Sequence, residues 1–469
     1  MTGTHLSKTD LAARRRLEES LLRARRSRRT ESPAPAADRQ AGPTELRFRA
    51  SVAQEGMWHS LRGGPGSTPA LIAGGLRLTG PLDTAALEEA WNDVVARHDN
   101  LRSVLRMEDG CLTQVIAPSV RLTVPVVELA PGGLGHFTHQ EVDQSFDLAV
   151  GPLARLRLLR VAPDEHIAFL IMHHIIGDGR SVEVMVRDLG ACYLARTTKT
   201  EPALPPLPLR YGDFAAAHRS LVEGPRGAEV NAYWVARLQG AAPVELPTDL
   251  TPPAEPTPYG ALRELAVPPE VFERLTQLAR RARTTIYTLG LAAFQVTLAR
   301  ASGQRDICVR APISYRDGTE VQDLVADFSN DVVVRTDLSA NPTFDELIAK
   351  VGAETNRDFM YHDVPAHLLE PHLGDQGLLD RLFHVQFTAE SEFDVAAALG
   401  ALRVERVIPP MPYVSRPLSL RLRHDENSAR SLAIYSTDVF SENRVVQLVE
   451  DFHAVLTEMT LHGDRHVLG

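Results

Sequence analysis

The chain has 469 residues, of which 44% are hydrophobic and 23% are charged, and this composition is typical of a globular protein. A single hydrophobic core rarely organises a chain of this length, so we expect two domains of roughly 200 residues each. The formal net charge of -10 argues against nucleic acid as a partner, because phosphate binding requires a concentrated basic surface.

Nothing in the sequence suggests a membrane protein or a secreted one. Its apolar runs, such as LGLAAFQVTLA at residues 289–299, are far shorter than the ~20 residues that a membrane helix needs. The N-terminal MTGTHLSKTD lacks the apolar core of a secretion signal. Cys111, Cys192 and Cys308 are odd in number and have no metal-ligand spacing, which fits a reducing compartment. We therefore expect a cytoplasmic protein without membrane contacts.

Residues 1–45 are predicted to form a basic helix and a linker. Ser7 and Asp10 resemble a capping box at the start of a helix over residues 6–29. Its stretch RRRLEESLLRARRSRR has eight arginines against two glutamates. No aromatic residues are interleaved, so the pattern favours a solvated face or a docking element over nucleic-acid binding. The composition of residues 30–44 is typical of a linker.

Helical and extended patterns then alternate along the chain. Apolar residues recur at helical spacing behind an Asp83 cap, short extended runs cover residues 154–163 and 166–174, and helical spacing returns over 181–196. Proline-rich stretches, beginning at residues 201–209, interrupt the pattern before it resumes. This alternation predicts two α/β units in succession.

The segment FLIMHHIIGDGRS, residues 169–181, places two adjacent histidines and an aspartate after a run of apolar residues. Imidazole and carboxylate groups commonly transfer protons in enzymes. A strand followed by a helix would put them at the open end of a sheet, where ligands tend to bind. A buried histidine pair beside a turn is nevertheless the commoner explanation of such a pattern, so other parts of the sequence must decide.

Several segments together resemble one family. MHHIIGDGRS resembles the HHxxxDG signature of the condensation domains of nonribosomal peptide synthetases, which are related to chloramphenicol acetyltransferase. Five further motifs match in family order and at family spacing: SVAQEGMW (51–58), RHDNLRSVL (97–105), YGDFAAA (211–217), ADFSNDVVVR (326–335) and YHDVPAHLL (361–369). The resemblance extends over roughly residues 46–460. Six motifs in register are far more specific than HHxxxDG alone.

The resemblance implies an α/β (α+β) fold in which two chloramphenicol acetyltransferase-like lobes form a V-shaped pseudodimer around a central tunnel. We expect the first lobe in residues 46–222 and the second in residues 223–469. The implied activity is transfer of an acyl or aminoacyl group from an acyl-loaded peptidyl carrier protein to an amine or alcohol. The phosphopantetheine arm belongs to the carrier protein, so this chain should bind no cofactor of its own.

The resemblance also implies roles for the two histidines. Side chains alternate along an extended segment, and by family match His174 faces the reactants while His173 is fixed in the structure. We expect a desolvated tunnel to keep the His174 imidazole neutral near pH 7, so that it can accept a proton. Asn330 and Ser314 are candidates for the far wall of the tunnel, although Asn330 is equally typical of a structural position. No third ligand is spaced to bind a metal with the histidines.

In the family the aspartate of the motif, here Asp178, forms a salt bridge that shapes the loop. Arg102 is the expected partner and Arg97 is the next candidate. Gly179 is expected to allow close approach of the backbone to the tunnel and to start the following helix. No serine or cysteine nucleophile is implied, so we expect direct attack of the acceptor without an acyl-enzyme.

The sequence departs from the family pattern at several motif positions. Gly56 stands where the family often has Arg, Ala217 replaces Trp, Ala326 replaces Gly, and Tyr361–His362 replace His-Gln. With no carrier domain in the chain, the two alanines favour a soluble small-molecule acceptor, with an ester product at least as expected as an amide. The sequence modestly favours a free-standing enzyme over a domain excised from a synthetase.

Other members of the fold remain as alternatives. Epimerisation domains usually carry Trp after the serine of the motif, where this chain has Val182, and cyclisation domains replace the histidine pair, so both are disfavoured. A CoA-dependent O-acyltransferase shares HHxxxDG and stays open. A catalytically inactive recruitment domain, which only binds an oxygenase or a carrier protein, typically loses the second histidine, and this chain keeps His174.

Overall fold

The computed structural model describes residues 45–61, 70–246, 248–254, 257–391, 399–400, 402–409 and 413–468. The predicted basic helix at residues 6–29 and the linker at residues 30–44 lie outside the described residues. None of the described helices is long and apolar enough to cross a membrane.

Helices and strands alternate along the described chain. The helices are α1 (Val52–Leu61), α2 (Thr84–Arg97), α3 (Leu134–Asp143), α4 (Gly179–Thr198), α5 (Tyr211–Val222), α6 (Pro225–Leu238), α7 (Pro269–Ala282), α8 (Ile286–Ser302), α9 (Phe344–Met360), α10 (Ala366–Leu369), α11 (Leu378–Leu382) and α12 (Glu442–Leu461). The strands are β1 (Leu46–Arg49), β2 (Leu71–Thr79), β3 (Ser103–Glu108), β4 (Cys111–Ile116), β5 (Val126–Glu128), β6 (Ala154–Ala162), β7 (Glu165–His173), β8 (Gly260–Ala266), β9 (Asp306–Ser314), β10 (Ser329–Asp337), β11 (Val385–Ser391), β12 (Arg403–Val407), β13 (Leu418–His424) and β14 (Ala429–Ser436).

The first large sheet carries the histidine motif. Within the described residues its strand order is β12-β2-β7-β6-β5, and β7 pairs antiparallel with both β2 and β6. Met172 packs in a core with α2 and α4, while Phe169 packs on the other face against residues of α3. Burial on both faces explains why this strand has a continuous apolar run rather than an alternating one.

The second large sheet has the order β10-β9-β11-β13-β14-β8 in the described residues. Helices α7, α8, α9 and α12 cover one of its faces, and Phe387, Leu420 and Leu422 point into the core that they form. Neighbouring residues such as Gln386 and Arg421 therefore point to the opposite face, since successive side chains of a strand alternate. A small sheet of order β1-β4-β3 completes the first half.

The two halves of the chain are interlocked. Strand β12 comes from the second half, yet it pairs antiparallel with β2 of the first sheet. Tyr211 and Phe214 on α5 also share a small buried cluster with Tyr315 and Phe328 from the second half. The expected division of the lobes between residues 222 and 223 stays a prediction. Strand β12, from the second half, forms part of the sheet of the first half.

Candidate active site

The histidine motif lies in the connection from β7 to α4. Strand β7 ends at His173, a single 3₁₀ turn spans His174–Ile176, and α4 begins at Gly179. Asp178 caps the helix, because its Oδ1 accepts a hydrogen bond of 2.8 Å from the backbone N–H of Ser181. A capped helix start holds the preceding turn in one conformation.

His173 is the buried member of the pair. Its side chain packs edge-on against Phe146, with the ring centroids 6.4 Å apart. Its Nδ1 accepts a hydrogen bond of 3.0 Å from the backbone N–H of Ile175. Burial, together with the neighbouring His174, lowers the pKa of His173 to about 4. This imidazole is therefore a neutral acceptor that stabilises the turn.

His174 is the accessible member, since 32% of its side chain is exposed. Its backbone N–H donates to the carbonyl of Ala70 at 2.7 Å, which fixes the start of the turn. The side-chain Nδ1 lies 3.6 Å from Oδ1 of Asp327, an ion-pair distance slightly longer than a hydrogen bond. Because Nδ1 faces this carboxylate, Nε2 is the nitrogen that can meet a reactant.

The carboxylate changes the acid–base behaviour of His174. Burial lowers the pKa of His174, but the adjacent carboxylate of Asp327, together with the charge of Asp178, outweighs this effect, so the net shift is upward. The expectation that a desolvated tunnel keeps this imidazole neutral near pH 7 did not include the carboxylate, which acts against desolvation. A nearby opposite charge favours the protonated form, and the sequence pattern did not reveal that charge.

Asp327 is itself held in place. It is 2% exposed, and its Oδ1 accepts hydrogen bonds from the backbone N–H and the hydroxyl of Ser329. Its main-chain carbonyl accepts a hydrogen bond of 2.6 Å from the hydroxyl of Tyr211. Asp327 occupies the variable position of the GxFVNTxxLR motif, so motif matching missed it. The sequence offered no specific signal for it, because the same motif also contains Asp331.

The motif at residues 51–58 contacts and stabilises the turn that carries His174. Gln54 donates a hydrogen bond of 3.1 Å from Nε2 to the carbonyl of Ile175, next to His174. Ser51 and Gln54 exchange side-chain and backbone hydrogen bonds of 3.0 and 3.1 Å. The Tyr211 hydroxyl lies 2.9 Å from Ser51 Oγ. Segments far apart within the first half of the chain thus converge on the turn.

The predicted partner of Asp178 needs correction. Arg316 from the second half donates from Nη2 to Oδ1 at 3.0 Å and from Nε to Oδ2 at 3.1 Å. Arg102 instead donates to Asp99 at 2.7 Å and to the Val95 carbonyl at 3.1 Å. Arg102 cannot also pair with Asp178, because its guanidinium donors are already directed at residues around the end of α2.

Arg97, the second candidate partner, is also engaged elsewhere. Its Nε donates to Oδ2 of Asp188 at 2.8 Å. Asp188 is fully buried and also contacts His98 Nε2 at 2.9 Å and Arg187 Nε at 2.8 Å. Arg97 therefore supports the packing of α2 on α4 and does not contact the motif aspartate.

Two glycines of the motif have different surroundings. A Cβ at Gly179 would meet no described atom within 4 Å, so this position faces open space at the start of α4. A Cβ at Gly177 would lie 2.2 Å from Cε of Met172. A larger residue at position 177 would therefore displace the end of the Met172 side chain, and the sequence interpretation did not single out this glycine.

Ser314 and Asn330, the two residues predicted for the far wall of the tunnel, have different surroundings in the structure. Ser314 is exposed at the end of β9 and pairs across the ladder with Ser329, the residue that bonds Asp327. Asn330 donates from Nδ2 to the carbonyls of His362 at 2.7 Å and Val364 at 3.1 Å. The Asn330 side-chain amide therefore holds the backbone at His362 and Val364 in place. This is the structural role that the sequence left open for Asn330.

The departures from the family pattern fall at packed positions. A Cβ at Gly56 would come within 2.3 Å of the His367 ring, so that ring fills the space that a longer side chain would need. Ala217 and Ala326 belong to the buried cluster at the junction of the halves. The expectation that these alanines alter an acceptor surface was therefore wrong. No group of three His, Cys, Asp or Glu side chains in the described residues could hold a metal ion.

Comparison with known sequences identifies the family. The sequence model of the Condensation domain matches residues 47–467. The chain belongs to the condensation domain family. Phosphinothricin tripeptide synthetase PhsC of Streptomyces viridochromogenes is 33% identical over 404 residues, which are 84% of this chain and 37% of that protein. The dimodular nonribosomal peptide synthase of Bacillus subtilis is 30% identical over 459 residues, which are 93% of this chain and 19% of that protein. The chain thus spans a minor part of the length of either protein.

Solved structures agree with this assignment. The X-domain from teicoplanin biosynthesis has a TM-score of 0.80 and 26% identity, covering 92% of this chain and 99% of that one. The SgcC5 protein from Streptomyces globisporus has a TM-score of 0.74 and 26% identity, covering 89% of this chain and all of that one. The α/β fold with two chloramphenicol acetyltransferase-like lobes is thereby confirmed. The chain is a condensation domain of the kind found in nonribosomal peptide synthetases.

Proposed function

We propose that this condensation domain is catalytically active and transfers an acyl or aminoacyl group from the phosphopantetheine thioester of a carrier protein to a small-molecule amine or alcohol. The observation that carries the proposal is the accessible imidazole of His174, whose Nδ1 lies 3.6 Å from the buried carboxylate of Asp327. With Nδ1 facing the carboxylate, Nε2 is the nitrogen that remains for a reactant, which supports the proposal. A carboxylate behind an imidazole is a recurrent way to orient a general base.

The proposed step moves one proton. As the acceptor nitrogen or oxygen attacks the thioester carbonyl, Nε2 of His174 accepts the proton of the acceptor N–H or O–H. The tetrahedral intermediate then collapses, the C–S bond breaks, and the proton passes to the departing thiolate. Alignment of the two reactants supplies much of the rate, because a thioester is already activated.

Direct attack agrees with the state of the cysteines. Burial raises the pKa of Cys192 to about 11 and that of Cys308 to about 12, so neither is a thiolate at neutral pH. Reactive cysteines instead have a lowered pKa and an accessible position. An acyl-enzyme on either thiol is therefore disfavoured.

The alternative to an enzymatic function is a role limited to binding a partner protein. The X-domain of teicoplanin biosynthesis, solved in a complex with OxyB, has a TM-score of 0.79 with this chain. Retention of His174 and its buried carboxylate favours the active enzyme. A domain that only recruits a partner would have no need of this pair.

Reconstitution tests the proposal. The protein is incubated with acyl-loaded carrier proteins and a panel of amines and alcohols, and products are identified by mass spectrometry. We expect an amide or an ester that depends on the carrier and on His174. Product from acyl-CoA without a carrier would instead indicate a CoA-dependent acyltransferase. Carrier binding without product across the panel would favour the binding-only role.

A further inference from the structure

The face of the second sheet that points away from its helices carries a cluster of arginines. It consists of Arg310 on β9, Arg421 and Arg423 on β13, and Arg416 just before β13, and we call it the arginine face. Intervening leucines of β13 point to the opposite side and belong to the core. Alternation along the strand thus separates an apolar face from a basic one.

The arginine face is rich in unsatisfied hydrogen-bonding groups. Among the described residues, the Nε atoms of all four arginines and the hydroxyls of Thr388 and Ser419 are buried without a hydrogen-bond partner. Arg423 is only 8% exposed. Buried polar atoms nearly always have partners, so a concentration of unpaired donors on one surface indicates a missing acceptor.

Positive charge predominates on this face, although Glu390 is paired in register with Arg423. Asp331 is the only carboxylate within ion-pair distance of the four arginines in the described part of the chain, and it pairs with Arg310. Burial, followed by the positive charge of Arg310, lowers the pKa of Arg416 to about 9, although Asp331 and Asp380 act in the opposite direction. Buried charges without a counter-charge are strongly unfavourable.

The arginine face is continuous with the candidate active site. Ser329, which bonds Asp327 beside His174, starts β10, and its side chain shares the sheet face of Asp331. From β10 the sheet leads through β9 and β11 to β13, which is three inter-strand steps, or roughly 15 Å. One substrate can therefore react at His174 while another part of it lies on the arginines.

We propose that the arginine face binds an oxyanion, a carboxylate or a phosphate, carried by a substrate whose reacting end lies at His174. Guanidinium groups match the planar or tetrahedral oxygens of these anions through paired hydrogen bonds. The anion supplies both the missing acceptors and the missing charge. The assignment of this anion to a substrate rests on the proposed function, whereas the binding of the anion does not.

Anion titration of the whole protein tests the binding. Succinate and inorganic phosphate are titrated at constant ionic strength, with chloride as the reference, and Tm and Kd are measured. We expect a saturable rise in Tm of several degrees for the wild type. Arg421→Gln and Arg423→Gln should bind at least tenfold more weakly, and their Tm without anion should equal or exceed that of the wild type. Arg280→Gln, at an exposed position of α7, should behave like the wild type.

Absence of saturable binding in the wild type, or equal binding by the wild type and both β13 variants, would show that the face holds no oxyanion. Arg421→Lys keeps the charge and should retain part of the response, which separates loss of the anion site from loss of folding. These outcomes do not depend on turnover, so failure of the proposed function leaves them interpretable.

Kinetics then identifies the source of the anion. Acyl thioesters of pantetheine and of phosphopantetheine serve as donors for the wild type and for Arg421→Gln. A KM increase of tenfold or more that is confined to the phosphorylated donor would assign the anion to the phosphate of the arm. A similar increase in KM for the acceptor would assign it to a carboxylate of the acceptor, and an increase for both donors would assign it to a carboxylate of the acyl group. Unchanged KM values for donor and acceptor would overturn the substrate assignment.

Discussion

Arg316 and Asp178 join the two halves of the chain through two hydrogen bonds, with Nη2 to Oδ1 at 3.0 Å and Nε to Oδ2 at 3.1 Å. Both residues are buried, and the guanidinium of Arg316 also packs over the ring of Phe328 at 4.2 Å. Since Asp178 caps the helix behind His174, the pair fixes the histidine turn against the second half. In the proposed function this pair is a framework contact and takes no part in the chemistry.

We predict that replacing either partner by Ala destabilises the fold by about 3–5 kcal/mol, because the remaining charge is buried and unpaired. The double variant should lose less than the sum of the single effects. Urea denaturation of the four proteins measures this coupling. Arg102→Ala combined with Asp178→Ala is the matched control and should be additive. Additivity for Arg316 and Asp178 would contradict the pairing.

Asp327 should tune the pH dependence of turnover. We predict that Asp327→Asn lowers the pKa of His174, because the charge that favours its protonated form is removed. In the proposed reaction neutral His174 is the base, so the acid limb of kcat/KM should move to lower pH. The limiting rate at high pH should fall by about 10-fold or more, as the imidazole loses its orienting partner.

Steady-state kinetics over a range of pH tests this effect. Asp438→Asn, which changes an aspartate bonded to Thr257, is a control and should leave the limb in place. If the acid limb of the kcat/KM profile of Asp327→Asn matched that of the wild type, the carboxylate would not act on His174.

Buried histidines should make the fold sensitive to acid. Burial lowers the pKa values of His173, His218, His367 and His453 to about 4, below the ordinary value of 6.5. The unfolded chain therefore binds more protons than the folded chain between about pH 6.5 and pH 4. Stability is fully present above this window and falls as the pH drops through it.

The free energy of unfolding measured across the window tests this prediction. His453→Gln should lose about 1–2 kcal/mol less than the wild type between these limits, because one of the contributing groups is removed. Parallel pH profiles for the wild type and His453→Gln would contradict it.

The local pattern of the sequence predicted much of the fold around the site. The apolar run predicted β7, Asp83 was correctly expected to cap α2, and helical spacing located α4. These features depend on residues close together in sequence. The family motifs then supplied the arrangement of the lobes. The exchange of β12 into the first sheet was not visible, because it depends on pairing between Arg403 and Thr79, which lie far apart in the chain.

Partners across the halves could not be predicted. Asp178 and Arg316 are separated by 138 positions, and several arginines were equally suited by sequence alone. Asp327 lies at a variable motif position, and no local pattern links it with His174. Charge pairs of this kind depend on tertiary geometry, which residue spacing along one strand or helix does not encode.

In the proposed reaction His174 manages the proton during acyl transfer. The most direct test of this role is single-turnover transfer from an acyl-loaded carrier protein by the wild type, His174→Ala and His173→Ala, with Tm and carrier affinity measured for each. We predict that His174→Ala keeps its Tm and its carrier affinity but loses roughly 10²–10⁴-fold in the transfer rate, whereas His173→Ala mainly loses stability. A transfer rate for His174→Ala equal to that of the wild type would contradict the claim.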